Sequence, residues 1–302
     1  MDQRRQAFWA GIALAVVVVL SGLVYRDLMD IGRFHRAEPA ANATPTAGPV
    51  IGIGVVSRFA PNLIYAGYQP IIDYLNGGGP FRCELRPSPN YRDAVTRLQE
   101  GDVAASFLGA WITRSLGPDS GLRPVLAPRN ADGAPTVHDV LIVREESDIH
   151  GVADLAGRRV AVPSQESWAG NWLQAEALPG AGLTVADLDT LRHFDHHQTV
   201  VWRVLHGDFD AGVVKESVAL DFLAEGLRIA AVSRPIPAPP LVVRAGDPDP
   251  SVEAIASLLL DLDPADPADR AMLAGWTAEF AWGFTRVSWR DYAAATPTDG
   301  AP

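Results

Sequence analysis

The chain has 302 residues, 25 basic against 36 acidic, and a formal charge of −11. With 48% hydrophobic and 20% charged residues, the composition is globular and not that of a disordered chain. The acidic balance argues against a nucleic-acid partner, and the single cysteine, Cys83, excludes an intramolecular disulfide or a Cys-based zinc site.

The charge is unevenly placed. Residues 1–50 hold five arginines and four acids, so the rest of the chain carries −12. Phe8–Tyr25 (FWAGIALAVVVVLSGLVY) runs 18 residues without a charge, close to the ~20 that cross a bilayer as a helix. Arg4 and Arg5 precede it, and Trp9 and Tyr25 stand near its ends, where amphipathic aromatics favour the interface. Ala41-Asn42-Ala43 lies too far from the apolar run for signal-peptidase processing, and no cysteine follows closely for lipidation. The span reads as an uncleaved anchor, although Arg26, Arg33 and Arg36 on its far side oppose the positive-inside rule. Residues 1–36 are the cytoplasmic start and transmembrane anchor, 37–49 a Pro/Ala/Thr-rich linker, and 291–302 a tail.

From Val50 strands and helices alternate. Val50–Val56 is an apolar strand, and Asn62–Leu75 has helical spacing that stops at Gly77-Gly78-Gly79. Strand Phe81–Arg86, helix Tyr91–Glu100 and strand Val103–Leu108 follow. Strands Val137–Val143 and Arg159–Val162 flank a short helix, Val152–Leu155. Helix Asn171–Ala177, helix Val200–Leu205 and strand Ala211–Val214 come next, then strands Leu227–Val232 and Leu241–Val243. Helices Ser251–Leu262 and Asp266–Phe280 finish the body, the second with Asp266 as N-cap and Pro267 as first helical residue. This alternation implies parallel sheets with crossovers in two lobes, without an internal repeat. Cys83, in an apolar run, reads as buried, Asp210 as structural, and Trp172, Trp202, Trp276, Trp282 and Trp289 as core residues. Dinucleotide, Walker, GxSxG and HExxH signatures are missing, and Gly52-Ile53-Gly54 lacks the third glycine of a Rossmann loop.

Four ordered segments carry a resemblance: Gly52–Leu75 with Tyr68-Gln69-Pro70; Tyr91–Gly109 (YRDAVTRLQEGDVAASFLG); Leu141–Val162 (LIVREESDIHGVADLAGRRVAV); and His197–Val214 followed by Ser233–Val243 (SRPIPAPPLVV). Together they resemble the periplasmic solute-binding proteins of phosphate/phosphite/phosphonate-type ABC transporters. The resemblance implies an α/β, two-lobed Venus-flytrap fold of the type II periplasmic-binding class with two hinge crossovers, behind one N-terminal transmembrane helix. Lobe 1 would be residues 50–136 plus 236–290, and lobe 2 residues 137–235. It further implies a non-enzymatic protein, without a cofactor, that captures a phosphonate or related oxyanion in the cleft. That ligand would pass to an inner-membrane ABC permease, with the protein periplasmic and tethered by its helix. A sensing role beside a membrane signalling partner and, more remotely, a metal-dependent hydrolase are the competing readings.

The family's Ser-Thr-Ser-Gly-type anion turn aligns with Ser167-Trp168-Ala169-Gly170. Ser167 and Gly170 are kept, Trp168 replaces a small hydroxyl residue, and Glu166 adds a carboxylate. An aromatic wall beside a carboxylate suits a cationic ligand through cation–π contact, or a neutral one by stacking. His197 aligns with the family's ligand-contacting histidine, and Lys215, the one lysine, follows a strand at the cleft side. Tyr65 and Trp111 stand near positions where the family has aromatics. The expected ligand-binding set is Tyr65, Trp111, Ser167, Trp168, Gly170, His197 and Lys215. His193, His196 and His206 raise a metal reading, but no carboxylate joins them at helical spacing.

Overall fold

A computed structural model describes residues 48–57, 61–246 and 250–293. The apolar span Phe8–Tyr25 and most of the linker lie outside the described residues. Among the described residues, no helix is long and apolar enough to cross a membrane.

Strand β1 (Val50–Val56) is apolar because both faces of its sheet are covered. Helix α1 (Pro61–Gly78) turns Ile64, Tyr68, Ile71, Ile72 and Leu75 inward at helical spacing. β2 (Arg82–Ser88) pairs parallel to β1. Helix α2 (Tyr91–Glu100) starts where the Asn90 side chain accepts the Asp93 N–H at 2.9 Å, and ends on left-handed Gly101. β3 (Ala105–Phe107), α3 (Ala110–Leu116) and β4 (Leu122–Pro128) complete this half. The chain leaves through β5 (Thr136–Val137) into β6 (Asp139–Arg144) and β7 (Arg159–Val162). Helix α4 (Trp168–Trp172) runs through a π-helical turn (Leu173–Ala177) into α5 (Leu178–Gly180). β8 (Thr190–His193), α6 (His197–Leu205), β9 (Ala211–Lys215), α7 (Glu216–Leu220) and β10 (Leu227–Val232) follow. The return passes through β11 (Ile236–Pro237) to β12 (Leu241–Arg244), α8 (Pro250–Leu260), α9 (Pro267–Leu273), β13 (Phe284–Arg286) and α10 (Trp289–Ala293).

The first sheet has the order β13-β4-β12-β3-β1-β2, the second β10-β6-β9-β7-β8, and β5 pairs antiparallel with β11 as the two crossings pass each other. Both sheets are mixed, not purely parallel as the alternation suggested. The strand entering each sheet after a crossing, β12 or β6, runs antiparallel to its neighbours.

The sheets are wired alike, with β4, β12, β3, β1 and β2 matching β10, β6, β9, β7 and β8. The match reaches side chains. Arg244 Nη1 donates to the carbonyls of Leu98 (2.9 Å) and Val103 (3.0 Å). On the equivalent strand, Arg144 Nη1 donates to those of Val204 (2.7 Å) and Phe209 (3.0 Å). Each arginine bridges a helix end and the loop after it beside a left-handed glycine, Gly101 (φ 87°) or Gly207 (φ 76°). The sequence around these corners repeats, with Arg97, Gly101, Asp102 and Ala105 matching Arg203, Gly207, Asp208 and Ala211. The expectation of no internal repeat is thereby corrected. The signal is a few corner residues, and the apolar positions between them drift freely.

Other expectations shift in place. Helix Asp266–Phe280 shortens to α9, with Asp266 capping Ala268 and Asp269 as expected, because Trp276 and Phe280 turn into the first core after Gly275. The strand β4 was not expected. Its prolines break the apolar pattern, and Pro124 is tolerated where the β12 register shifts. Trp202 and Trp282 are exposed (42% and 44%) rather than core residues, whereas Trp172 and Trp276 are buried. Residues 291–293, expected in the tail, belong to α10, and Tyr292 there is fully buried. Cys83 is buried, which pushes its thiol up to about 12. Asp210 takes both Arg159 side-chain bonds (2.7 and 3.1 Å) and the Arg159 N–H (2.9 Å), the structural role expected of it.

Each sheet is covered on both faces. The first has α1, α8 and the aromatics Phe107, Phe280 and Phe284 on one side, and α2 on the other. In β6, Leu141 and Val143 face one cluster while Val140 and Ile142 face the other. One cluster crosses between the sheets, joining Ala110, Val287 and Tyr292 to Trp168, Trp172 and Leu141. Tyr292 also donates its hydroxyl to the Ala238 carbonyl (2.9 Å), just past the returning crossing. Tyr292→Phe removes that donor from a buried carbonyl and is expected to cost about 1–2 kcal/mol in chemical denaturation. An unchanged midpoint would show that α10 does not secure the crossing.

Candidate functional site

Carboxyl ends of strands from both sheets face one another, and helices begin there. Val56 and Ser57 end β1, Tyr91 opens α2, and Gly109-Ala110-Trp111 opens α3. Opposite them, Ser164–Trp168 follow β7, His197 opens α6, and Lys215 ends β9. Gly109 is required because a Cβ there would come within 2.8 Å of the Tyr91 ring.

An inner cavity of about 30 Å³ lies where these ends meet, bordered by Tyr91, Asp139, Ser167, Trp168, His197 and Lys215. Val137, Ile236 and Pro237 of the crossing strands also border it. Tyr91 borders in addition a wider mouth of about 280 Å³, with Ser57, Asn90, Ser164, Glu166 and Asp195.

The turn before α4 is tied by its own bonds. Ser167 Oγ accepts the Gly170 N–H (3.1 Å) and donates to the Ser164 carbonyl (2.8 Å), while Ser164 Oγ accepts the Glu166 N–H (3.1 Å). Gly170 serves packing, since a Cβ would lie 2.1 Å from the Ser164 carbonyl oxygen. Trp168, the first helical residue, is buried, and its indole meets Trp111 edge-on across the cleft, with centroids 5.4 Å apart and planes at 89°. The opposite side of the cleft holds an ion pair. Lys215 Nζ donates to Glu279 Oε1 at 2.6 Å, with both side chains less than a tenth exposed. Glu279 precedes Phe280, which is set in the first core. His197 Nδ1 accepts the Lys215 N–H at 3.3 Å, which leaves the proton of a neutral ring on Nε2.

Asp139 opens β6 directly opposite Lys215 in the ladder. Its N–H donates to Ser233 Oγ (3.0 Å), but its Oδ2 is buried without a partner, as is Trp168 Nε1. Burial raises the Asp139 carboxyl to about 7, helped by the charge of Glu176 and opposed by Lys215.

Of the expected residues, Ser167, Trp168, His197 and Lys215 border one cavity, with Trp111 against Trp168. Gly170 sits behind the turn. Tyr65 is 38% exposed and borders neither the inner cavity nor the mouth. Ile64 and Tyr68 hold the buried face of α1, and one residue beyond Ile64 the helix has turned Tyr65 away by about 100°. Sequence reasoning missed Tyr91, Asp139 and Glu279. For Asp139 the signal was there, a carboxylate heading the apolar run Asp139–Val143. The histidines do not converge. His193 Nδ1 meets the Pro163 carbonyl (2.8 Å), and His206 stacks on Trp202. Among the described residues, no group of three or more His, Cys, Asp or Glu is arranged to hold a metal.

Two like-ordered sheets around a cleft, joined by two antiparallel crossings, define a two-lobed binding-protein fold. The family described as "ABC transporter, phosphonate, periplasmic substrate-binding protein" matches residues 53–292. The chain belongs to this family, whose members bind solutes and are not enzymes. Among solved structures, it resembles a binding-protein component of a phosphonate ABC transporter from Pseudomonas aeruginosa (TM-score 0.67, 16% identity, 82% of this chain and 83% of that one). It also resembles PhnD1 from Prochlorococcus marinus in complex with methylphosphonate (TM-score 0.67, 19% identity, 81% and 95% covered). A Xanthomonas citri protein bound to chloride ion is similar at TM-score 0.60 and 21% identity, with 82% and 96% covered.

The raised Asp139 carboxyl has a measurable consequence. Folded Asp139 keeps its proton up to about pH 7, whereas an unfolded aspartate loses it near 3.8. Between these values the folded state binds more protons, so this group lowers stability as pH rises from about 4 to 7, with no further change above. Asp139→Asn removes the loss. The variant's stability relative to wild type should climb across that window with a limiting slope of about 1.4 kcal/mol per pH unit. A constant difference would mean that Asp139 ionises as it does in the unfolded chain.

Proposed function

We propose that this protein captures a small solute in the cleft between its sheets and presents it to an inner-membrane ABC permease. Residues 50–136 and 236–293 act as one lobe, 137–235 as the other, and the span Phe8–Tyr25 tethers both on the periplasmic side. The observation that carries the reading is the convergence of Trp111, Trp168, His197 and Lys215 on one cleft at the strand ends, where open α/β sheets bind ligands. Family membership supports it, and the methylphosphonate complex of PhnD1 indicates that such clefts take small solutes. A sensing role for the same cleft is favoured by the apolar span alone, which would keep the cleft beside the membrane. A permease and ATPase encoded alongside would favour transport, and a kinase or cyclase would favour sensing.

The test is a thermal-shift screen of the full chain in detergent against oxyanions, organic cations, amino acids, amides and sugars. Ligand at 100 times its Kd should stabilise the folded state by about 2.7 kcal/mol. One class should raise the midpoint, and Trp111→Ala and His197→Ala should each weaken the response at least tenfold. A hit that ignores both substitutions would move the site elsewhere, and the lack of any hit would count against solute capture.

A further inference from the structure

Two residues that border the inner cavity each carry a buried polar atom without a partner, one a donor and the other an acceptor. Trp168 Nε1 can only donate, and Asp139 Oδ2 accepts once its carboxyl has ionised, above about pH 7. Orphaned buried polar atoms are rare and costly, so two on residues that border one cavity call for a group that satisfies both. Neither is a surface accident, since Trp168 is 5% exposed and Asp139 3%.

The surroundings set the character of that group. Trp168 fills the centre of the cleft and is held edge-on by Trp111, so the remaining volume of about 30 Å³ admits one small terminal group. The ammonium of Lys215 is already matched by Glu279 at 2.6 Å. Ser167 and Ser164 spend their hydroxyls within their own turn. Above about pH 7 an arriving dianion would meet the ionised carboxylate of Asp139, with Glu166 and Asp195 at the mouth.

Resting on the solute-binding reading, we infer that the inner cavity is a subsite for an uncharged polar head group. The group presents an acceptor to Trp168 Nε1 and a donor to Asp139 Oδ2, and the Asp139 carboxylate sets this preference over an oxyanion. A primary carboxamide or a urea has that pairing, with its carbonyl toward the indole and its N–H toward the carboxylate. The rest of the molecule lies toward the mouth past Tyr91, which borders both spaces. Specificity of this kind is sharp, because a ligand lacking either function leaves a buried partner unmet.

The experiment compares the full chain in detergent with Trp168→Phe, which keeps an aromatic ring but removes the N–H, and with Asp139→Asn. The probes are acetamide, urea, inorganic phosphate and methylphosphonate, read by thermal shift and calorimetry at about pH 8.5, where Asp139 is ionised, and circular dichroism verifies that each variant is folded. Acetamide or urea should stabilise the wild type, phosphate and methylphosphonate should not, and each variant should bind the amide probes about tenfold more weakly. Should Trp168→Phe fail to fold, Asp139→Asn carries the same comparison. Methylphosphonate stabilising the wild type more than the amides would overturn the inference and leave solute capture standing. Amide binding unchanged in both variants would overturn the assignment of the two atoms. No response to either amide, with a hit elsewhere in the broader screen, would mean that a bound water satisfies the pair, and this too would overturn it.

Discussion

The chain passes between its two sheets twice, and both passages are locked in one short ladder, Thr136–Val137 against Ile236–Pro237. Most of the architecture follows from that constraint. Each strand that enters a sheet from the ladder must run against the strands already there, which makes both sheets mixed in the same way. The other strands, the edge strand β13 apart, then point their carboxyl ends at the opposite sheet. Asp139 stands two residues beyond one crossing, and Ala238, which accepts the Tyr292 hydroxyl, stands just beyond the other. The inner cavity is therefore built on the ladder itself, with Val137, Ile236 and Pro237 in its wall.

Two kinds of contact close the cleft, and their energies differ in origin. The apolar cluster running from Ala110 and Tyr292 to Trp168 and Trp172 removes large side chains from water, at about 25 cal/mol per Å². The Lys215–Glu279 pair is buried, so its attraction is largely offset by the loss of hydration on both charges. The apolar contact therefore supplies the drive to close. The ion pair fixes the alignment, because a displaced closure would bury two charges apart.

The sequence revealed the central strands, the Asp266 cap and most of the helices, because each depends on near neighbours. Asn90, Asp266 and Gly101 mark helix ends by chemistry that acts within one turn. The family resemblance placed Ser167, Trp168 and His197 at one cleft, and Lys215 joined them by its position after a strand. What escaped it depended on distant partners. Glu279 read as one more helical residue, and only the packing of Phe280 into the first core brings its carboxylate to Lys215. Tyr65 was expected in the cleft from the family's aromatic positions, and only the buried face of α1, which Tyr68 holds, turns it away. The repeat between the halves was invisible as hydrophobic pattern, because apolar residues exchange freely and only the corner residues, Arg97 with Gly101-Asp102 and Arg203 with Gly207-Asp208, are held by geometry.

A chain whose basic residues are otherwise all arginine has one further property. Within this sequence, amine-reactive reagents have a single side-chain target, and Lys215 keeps it inside the cleft beneath Glu279. Its acylation would have to wait for the buried pair with Glu279 to part. The rate at which that one residue is modified is a clock for opening, readable by mass spectrometry without introducing a label, a cysteine or a fluorophore.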